Sequence, residues 1–186
     1  MNDLLNRLTG LLEAVEGVSA ATAACVSHHD RDIVVGIVQG EPELDEMELR
    51  DHVLTELDGV DTPLGIWSVP DLRQLGEPVD AGQLLTAIDQ EWCVPFEKPD
   101  GPVEQSLAAL WCRVLGLRRV GARDDFLDLG GDSISATRIL VSLEEDFHVA
   151  LDVRQFMEAS SIRDLARTVV EEGGQEPTVR PEPAGG

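Results

Sequence analysis

The sequence predicts two modules of different class: a small α+β module over residues 1–90, a three-stranded sheet with helices, and an all-α four-helix bundle over residues 103–172. Two patterns carry this. Apolar residues spaced three and four apart recur in both modules and mark helices, whereas short β-prone runs bounded by polar or Pro residues occur only in the first. Residues 91–102 read as a linker. Residues 173–186, rich in Gly and Pro with one β-branched apolar residue, read as a disordered tail.

In the first module, Leu4, Leu5, Leu8, Leu11, Leu12 and Val15 form one helical stripe that ends at Gly17. Residues 20–26 and 33–38 are β-prone, separated by His28-His29-Asp30-Arg31-Asp32, and predict a hairpin. Leu49, Val53 and Leu57 mark a second helix over 45–57, and residues 64–69 a third strand stopped by Pro70. Asp80, with Gln83 three residues on, opens a helix through Leu84, Leu85 and Ile88. In the second module, Leu107, Leu110, Trp111 and Val114 define a helix between Pro102 and Gly116. A loop follows, with Val120, Phe126 and Leu129 as anchors. The next helix starts at Ser133, with Ala136, Leu140, Leu143 and Phe147 as its core face. Residues 155–159 predict a short turn, and Ser161 with Asp164 caps a last helix through Ile162, Leu165, Ala166 and Val169.

Composition narrows the functional classes. The 186 residues carry 14 Lys plus Arg against 36 Asp plus Glu, a net charge of −22. Nucleic acids and anionic lipids are poor partners for such a chain, because phosphate neutralisation needs clustered cations. The charge is uneven: residues 1–90 hold 4 arginines and 18 carboxylates, net −14, whereas 103–172 hold 8 arginines and 13 carboxylates, net −5. The sequence shows no apolar run of membrane-spanning length and no signal peptide, and a cytoplasmic location is expected. Cys25, Cys93 and Cys112 lack disulfide or zinc spacing and read as small hydrophobes. His28, His29 and Asp30 belong to a polar turn, and no metal is assigned. Lys98 is the only lysine.

The segment Asp128-Leu129-Gly130-Gly131-Asp132-Ser133-Ile134 places two glycines, an acid and a serine at the mouth of a helix. A hydroxyl there meets free N–H groups and the positive end of the helix dipole, an environment that favours an attached phosphate. Glycines permit close backbone approach. Spacing alone leaves open a simpler role, with Asp132 or Ser133 as an N-cap and the glycines only turning the chain.

The segment closely resembles the phosphopantetheine-attachment motif of the thiolation, or peptidyl carrier, domains of nonribosomal peptide synthetases, and the resemblance covers residues 103–172. It implies that Ser133 accepts a covalent 4′-phosphopantetheine arm, with Gly131 and Asp132 forming the attachment site. The arm's thiol would carry an acyl or aminoacyl thioester. The implied partners are a phosphopantetheinyl transferase, an adenylating enzyme acting in trans, and condensation, thioesterase or tailoring enzymes of secondary-metabolite biosynthesis. Ile134, Arg138 and Val141, on the helix face turned away from the core, are the docking candidates. A G-D-S-type esterase would need a His–acid pair and a sheet after the serine; only His148 follows, with no strand pattern.

Residues 1–90 resemble the C-terminal subdomain of an adenylation domain, from Leu11-Leu12-Glu13-Ala14-Val15-Glu16-Gly17-Val18 to Gln83-Leu84-Leu85. Trp92-Cys93-Val94-Pro95 resembles that family's junction to a carrier. Where the family places a Gly-Lys, this chain has Gly76-Glu77, and a carboxylate there would repel the substrate carboxylate and phosphates. The expectation is therefore a non-catalytic carrier preceded by an adenylation remnant. The alternatives are a C-terminal complement of a split adenylation enzyme and a docking adaptor for a tailoring enzyme.

Overall fold

The leucine stripe near the N-terminus folds as helix α1 (Asn2–Glu13) and sends Leu8 and Leu12 into the core at 0% exposure. After it, β1 (Val18–His28) and β2 (Arg31–Gly40) pair antiparallel, with His28 opposite Arg31. The two-residue turn between them puts His29 and Asp30 in the left-handed region, at φ 48° and 60°, the geometry that matches the twist of a tight hairpin. Helix α2 (Glu46–Glu56), capped by the Asp45 side chain, then returns the chain so that β3 (Leu64–Ser68) lies parallel to β2 in the order β1-β2-β3.

As the middle strand, β2 is covered on both faces, which is why residues 33–38 are continuously apolar rather than alternating. Val34 and Val38 pack in one core with Leu8, Leu12, Leu49 and Val53. Val35 and Ile37 pack in a second core with Leu84, Ala87 and Ile88 of helix α3 (Ala81–Asp89). The result is a sheet between two helical layers. A single 3₁₀ turn at Leu72–Leu75, not foreseen from the sequence, precedes α3.

The computed structural model describes residues 1–57 and 60–174, and they fall into two compact units that divide after Lys98. The first part of the expected linker is thus folded onto the first unit. Trp92 and Cys93 donate their N–H groups to the Ala87 carbonyl at 2.9 and 3.1 Å, Cys93 is 1% exposed, and Phe96 bridges to Leu64. Apolar side chains at 93 and 96 give this stretch something to bury. The tail expected from residue 173 lies, from 175 onward, outside the described residues.

The second unit holds α4 (Gly101–Leu115), α5 (Ser133–Asp146), α6 (Val153–Glu158) and α7 (Ile162–Glu171). Helix α4 has Pro102 in its first turn and ends at Gly116 in the left-handed conformation, φ 74°. Its Leu107, Leu110 and Trp111 share the buried set with Ile162, Leu165, Ala166 and Val169 of α7 and with Ala136, Ile139, Leu143 and Phe147 at α5. One expected core position shifts: Ile139 is fully buried and Leu140 only half-buried. Of residues 155–159, expected as a turn, 155–158 belong to the six-residue α6 and Ala159 is its C-cap; Asp152 and Gln155 exchange hydrogen bonds in a capping box. No helix among the described residues is long and apolar enough to cross a membrane.

Candidate functional site

The loop from 116 to 132 delivers Ser133 to the head of α5, and its own packing decides where it ends. Phe126, 1% exposed, stands edge-on to Trp111 at 5.3 Å and to Phe156 at 5.0 Å between ring centroids. The Phe126 N–H donates to the Ser160 carbonyl at 2.8 Å, and Asp125 bridges to Ser161. Val120 and Leu129 are buried as well. The loop is thus anchored by an aromatic cluster and tied to the start of α7.

The two glycines have distinct reasons. Gly130 adopts φ 80°, a conformation that L side chains rarely tolerate. Gly131 donates its N–H to the Phe126 carbonyl at 2.9 Å, and a Cβ there would lie 2.5 Å from that oxygen and from Phe126 Cε1 and Cζ. The bareness of Gly131 accommodates the protein's own phenylalanine, not only an incoming backbone.

Asp132 is the N-cap of α5. Its Oδ1 accepts from the Ile134 and Ser135 N–H groups at 3.0 and 2.8 Å, while the Asp132 N–H donates to Ser135 Oγ at 2.8 Å, completing a capping box. These bonds, first from the Ser135 N–H, then from its hydroxyl and the Ile134 N–H, hold the exposed carboxyl below the usual range, and the Arg138 charge adds to them. The expectation of free N–H groups at this helix start therefore needs correction. Those of Ile134 and Ser135 are spent on Asp132, and that of Ala136 on the Asp132 carbonyl at 2.8 Å. A phosphate on Ser133 would meet the helix dipole but also a neighbouring carboxylate.

Ser133 itself is exposed as the first residue of α5. Next to it Ile134 is 65% exposed and, two turns on, Val141 is 51% exposed; Arg138 lies exposed between them. Sequence reasoning named these three; it did not name Leu127, which is 54% exposed in the loop before Ser133. No local pattern marked it, since Leu127 alternates with Leu129, which is buried. His148 follows the far end of α5, which at about 1.5 Å per residue puts the 14-residue helix between it and Ser133. Among the described residues of the second unit no histidine stands beside the serine, so that unit does not form the esterase arrangement.

Elsewhere, Glu77 and Lys98 are both exposed in the first unit, Glu77 following Gly76 in a loop. His28 Nε2 meets Asp89 Oδ1 at 2.9 Å, tying the hairpin end to α3. Among the described residues no three His, Cys, Asp or Glu side chains are grouped as a metal site. Burial pushes the Cys93 thiol up to about 12 and also raises that of Cys25.

A serine exposed at a helix start, framed by a rigid loop and without a histidine beside it among the described residues of its own unit, fits a covalently attached group better than a nucleophile that must turn over. The comparisons agree. Residues 105–169 match the family model described as the phosphopantetheine attachment site. The chain is 43% identical over 72 residues to the isonitrile lipopeptide synthase of Mycobacterium tuberculosis, covering 39% of this chain and 3% of that protein. It is 31% identical over 142 residues to tyrocidine synthase 2 of Brevibacillus parabrevis, covering 71% of this chain and 4% of that protein. It therefore spans only a few hundredths of the length of these relatives. A solved structure of the phosphopantetheine transferase Sfp with coenzyme A and a peptidyl carrier protein aligns at 30% identity over 40% of this chain and 96% of the other, with a TM-score of 0.39. Residues 105–169 form a phosphopantetheine-attachment domain, the type that holds 4′-phosphopantetheine covalently on a serine.

Proposed function

We propose that Ser133 is the attachment serine and that the second unit, read as a four-helix carrier bundle, carries an acyl or aminoacyl group for nonribosomal peptide or related secondary-metabolite synthesis. The observation that carries this is the placement of an exposed Ser133 at the first position of α5, behind a loop whose glycines, N-cap and buried Phe126 fix its geometry. The arm supplies a flexible terminal thiol for the cargo. Two of the chain's own cysteines are poor substitutes: burial pushes the Cys93 thiol up to about 12 and raises that of Cys25. Gly131 and Asp132 serve the site by shaping it, Gly131 by admitting Phe126 and Asp132 by fixing the first turn of α5. Ile134, Arg138 and Val141, exposed on that helix, are read as the surface that transferase, loading and condensing or tailoring enzymes contact.

Loading is read as occurring in trans. The 31% match covers 71% of this chain, more than the second unit holds, so it reaches into the first unit and supports the resemblance there to an adenylation subdomain. Glu77 occupies the position where that resemblance puts a lysine, and the sole lysine, Lys98, lies at the junction of the units. A carboxylate at the transfer site raises rather than lowers the energy of an anionic adenylate.

The test is intact-mass measurement after incubation with coenzyme A and a phosphopantetheinyl transferase. The full chain is expected to gain one phosphopantetheine, and Ser133→Ala to gain none. No gain by the full chain, or a gain by the variant, overturns the assignment.

A further inference from the structure

The first unit carries a groove of about 550 Å³ where the end of α1 meets the segment between β2 and α2. Its floor is apolar, built from Val15, Leu44 and Leu49. The backbone bonds that hold it are local and short: Glu41 N–H donates to the Gly17 carbonyl at 3.0 Å, and Leu44 N–H to the Glu41 carbonyl at 3.2 Å. Gly17, at φ 88°, has no side chain to fill the space, and a Cβ there would already touch Leu44 Cδ2 at 3.3 Å. On the far wall Asp45 Oδ1 caps α2 through the Met47 and Glu48 N–H groups, fixing the helix whose Leu49 closes the floor.

The rim has one sign of charge. Glu16, Glu41, Glu43, Asp45 and Glu48 all line the groove and are all exposed. Among the described residues none of the five takes part in an ion pair. Cations of the unit are few: four arginines and the exposed Lys98 at its last position, with His52 the one histidine lining the groove. Of its four arginines, Arg31 pairs with Glu97, Arg73 pairs with Asp71, and Arg50 is 2% exposed and stacked over Phe96. Arg7 lies about two helical turns before the groove. Like charges gathered round an apolar trough repel one another in the free protein, and that cost is relieved when a cation enters.

We propose that this groove is a docking site for a basic polypeptide segment, one that seats an apolar side chain on Leu44 and Leu49 and places flanking Lys or Arg side chains against the glutamate rim. The occupant follows from complementarity. A purely cationic ligand would leave the floor exposed, and an apolar one would leave the carboxylates unpaired, whereas an amphipathic basic segment satisfies both. This surface is in the first unit and does not depend on attachment at Ser133, so it gives the first unit a function of its own, bringing the carrier to a basic partner.

A net charge of −22 attracts any cation, so the test must separate this groove from the bulk field. A synthetic amphipathic Leu/Lys peptide is titrated into the ¹⁵N-labelled full chain and followed by NMR. A Ser/Lys peptide of equal charge serves as the control. Shifts are expected at Gly17, Leu44 and His52, with the control binding at least about fivefold more weakly because it lacks the apolar anchor. The triple variant Glu16→Gln, Glu43→Gln, Glu48→Gln should weaken the Leu/Lys peptide about tenfold. Asp3→Asn, Glu56→Gln, Asp61→Asn, which removes the same charge outside the groove, should change it less than about twofold. Equal effects of the two triple variants, equal binding of the two peptides, or shifts spread over the surface without a maximum at the groove would each overturn the proposal. Phosphopantetheine attachment to the groove variant, read by intact mass, should stay as in the parent chain; that reading fails or holds separately.

Discussion

At the residue scale, Gly131 separates two uses of a bare backbone. A glycine beside an attachment serine is expected from sequence to admit a foreign backbone or cofactor. The structure adds an internal demand, because the Phe126 ring and carbonyl oxygen occupy the space a Cβ would need. The carbonyl cannot swing aside as a flexible side-chain end would, and the ring is locked between Trp111 and Phe156. Gly131→Ala is therefore expected to destabilise the second unit by about 1–3 kcal/mol through overpacking, measured by urea denaturation. A variant of unchanged stability that is modified more slowly at Ser133 would show that the glycine serves only the incoming group. Gly130 acts differently, through its backbone angle alone, since nothing lies within 4 Å of its absent Cβ.

At the element scale, the start of α5 is a charged cap. Its folded carboxyl titrates below the ordinary value of 3.8 because Ser135 and Ile134 hydrogen-bond the ionised form. A depressed folded value stabilises the fold fully above 3.8 and loses that contribution as pH falls through the lower folded value. Asp132→Asn keeps an oxygen acceptor but cannot titrate. The second unit of this variant should lose stability less steeply on acidification below about pH 4 than the parent, as measured by denaturation midpoints across that range. Identical slopes would show that the cap does not sense its charge. The same helix shows what the sequence made legible. Asp132 and Ser133 could be placed at its start because N-cap chemistry is local. The choice of Leu140 over Ile139 had no local basis, because both lie within three or four residues of Ala136 and Leu143, and only the packing of α4 and α6 against α5 decides which is covered. Helix α6 was underread although Asp152 and Gln155 carried the cap-box spacing, since six residues give too little periodicity. In the first unit the hairpin was legible from its polar turn. The parallel partner of β2 was not, because pairing across α2 is a long-range contact that leaves no local mark.

At the scale of the whole molecule, charge and fold divide together. The −14 on residues 1–90 falls on the unit built around the three-stranded sheet, and most of its arginines are paired or buried. The −5 over 103–172 is spread among side chains that include the pairs Arg154–Glu158, Arg163–Glu104 and Arg167–Asp164. Self-repulsion should therefore weigh more on the first unit, and salt, which shortens the Debye length from about 10 Å at 0.1 M to about 3 Å at 1 M, should relieve it there first. Hydrogen-exchange mass spectrometry on the full chain reads the two units separately, through residues 34–38 of β2 and 139–143 of α5. Raising sodium chloride is expected to slow exchange in β2 by a larger factor than in α5. Sodium chloride is the right probe because sulfate would strengthen apolar burial in both units at once and mask the difference. Equal slowing in the two segments would mean that the acidic excess of the first unit is already neutralised within its fold, and a greater effect on α5 would place the dominant repulsion at the carrier unit instead.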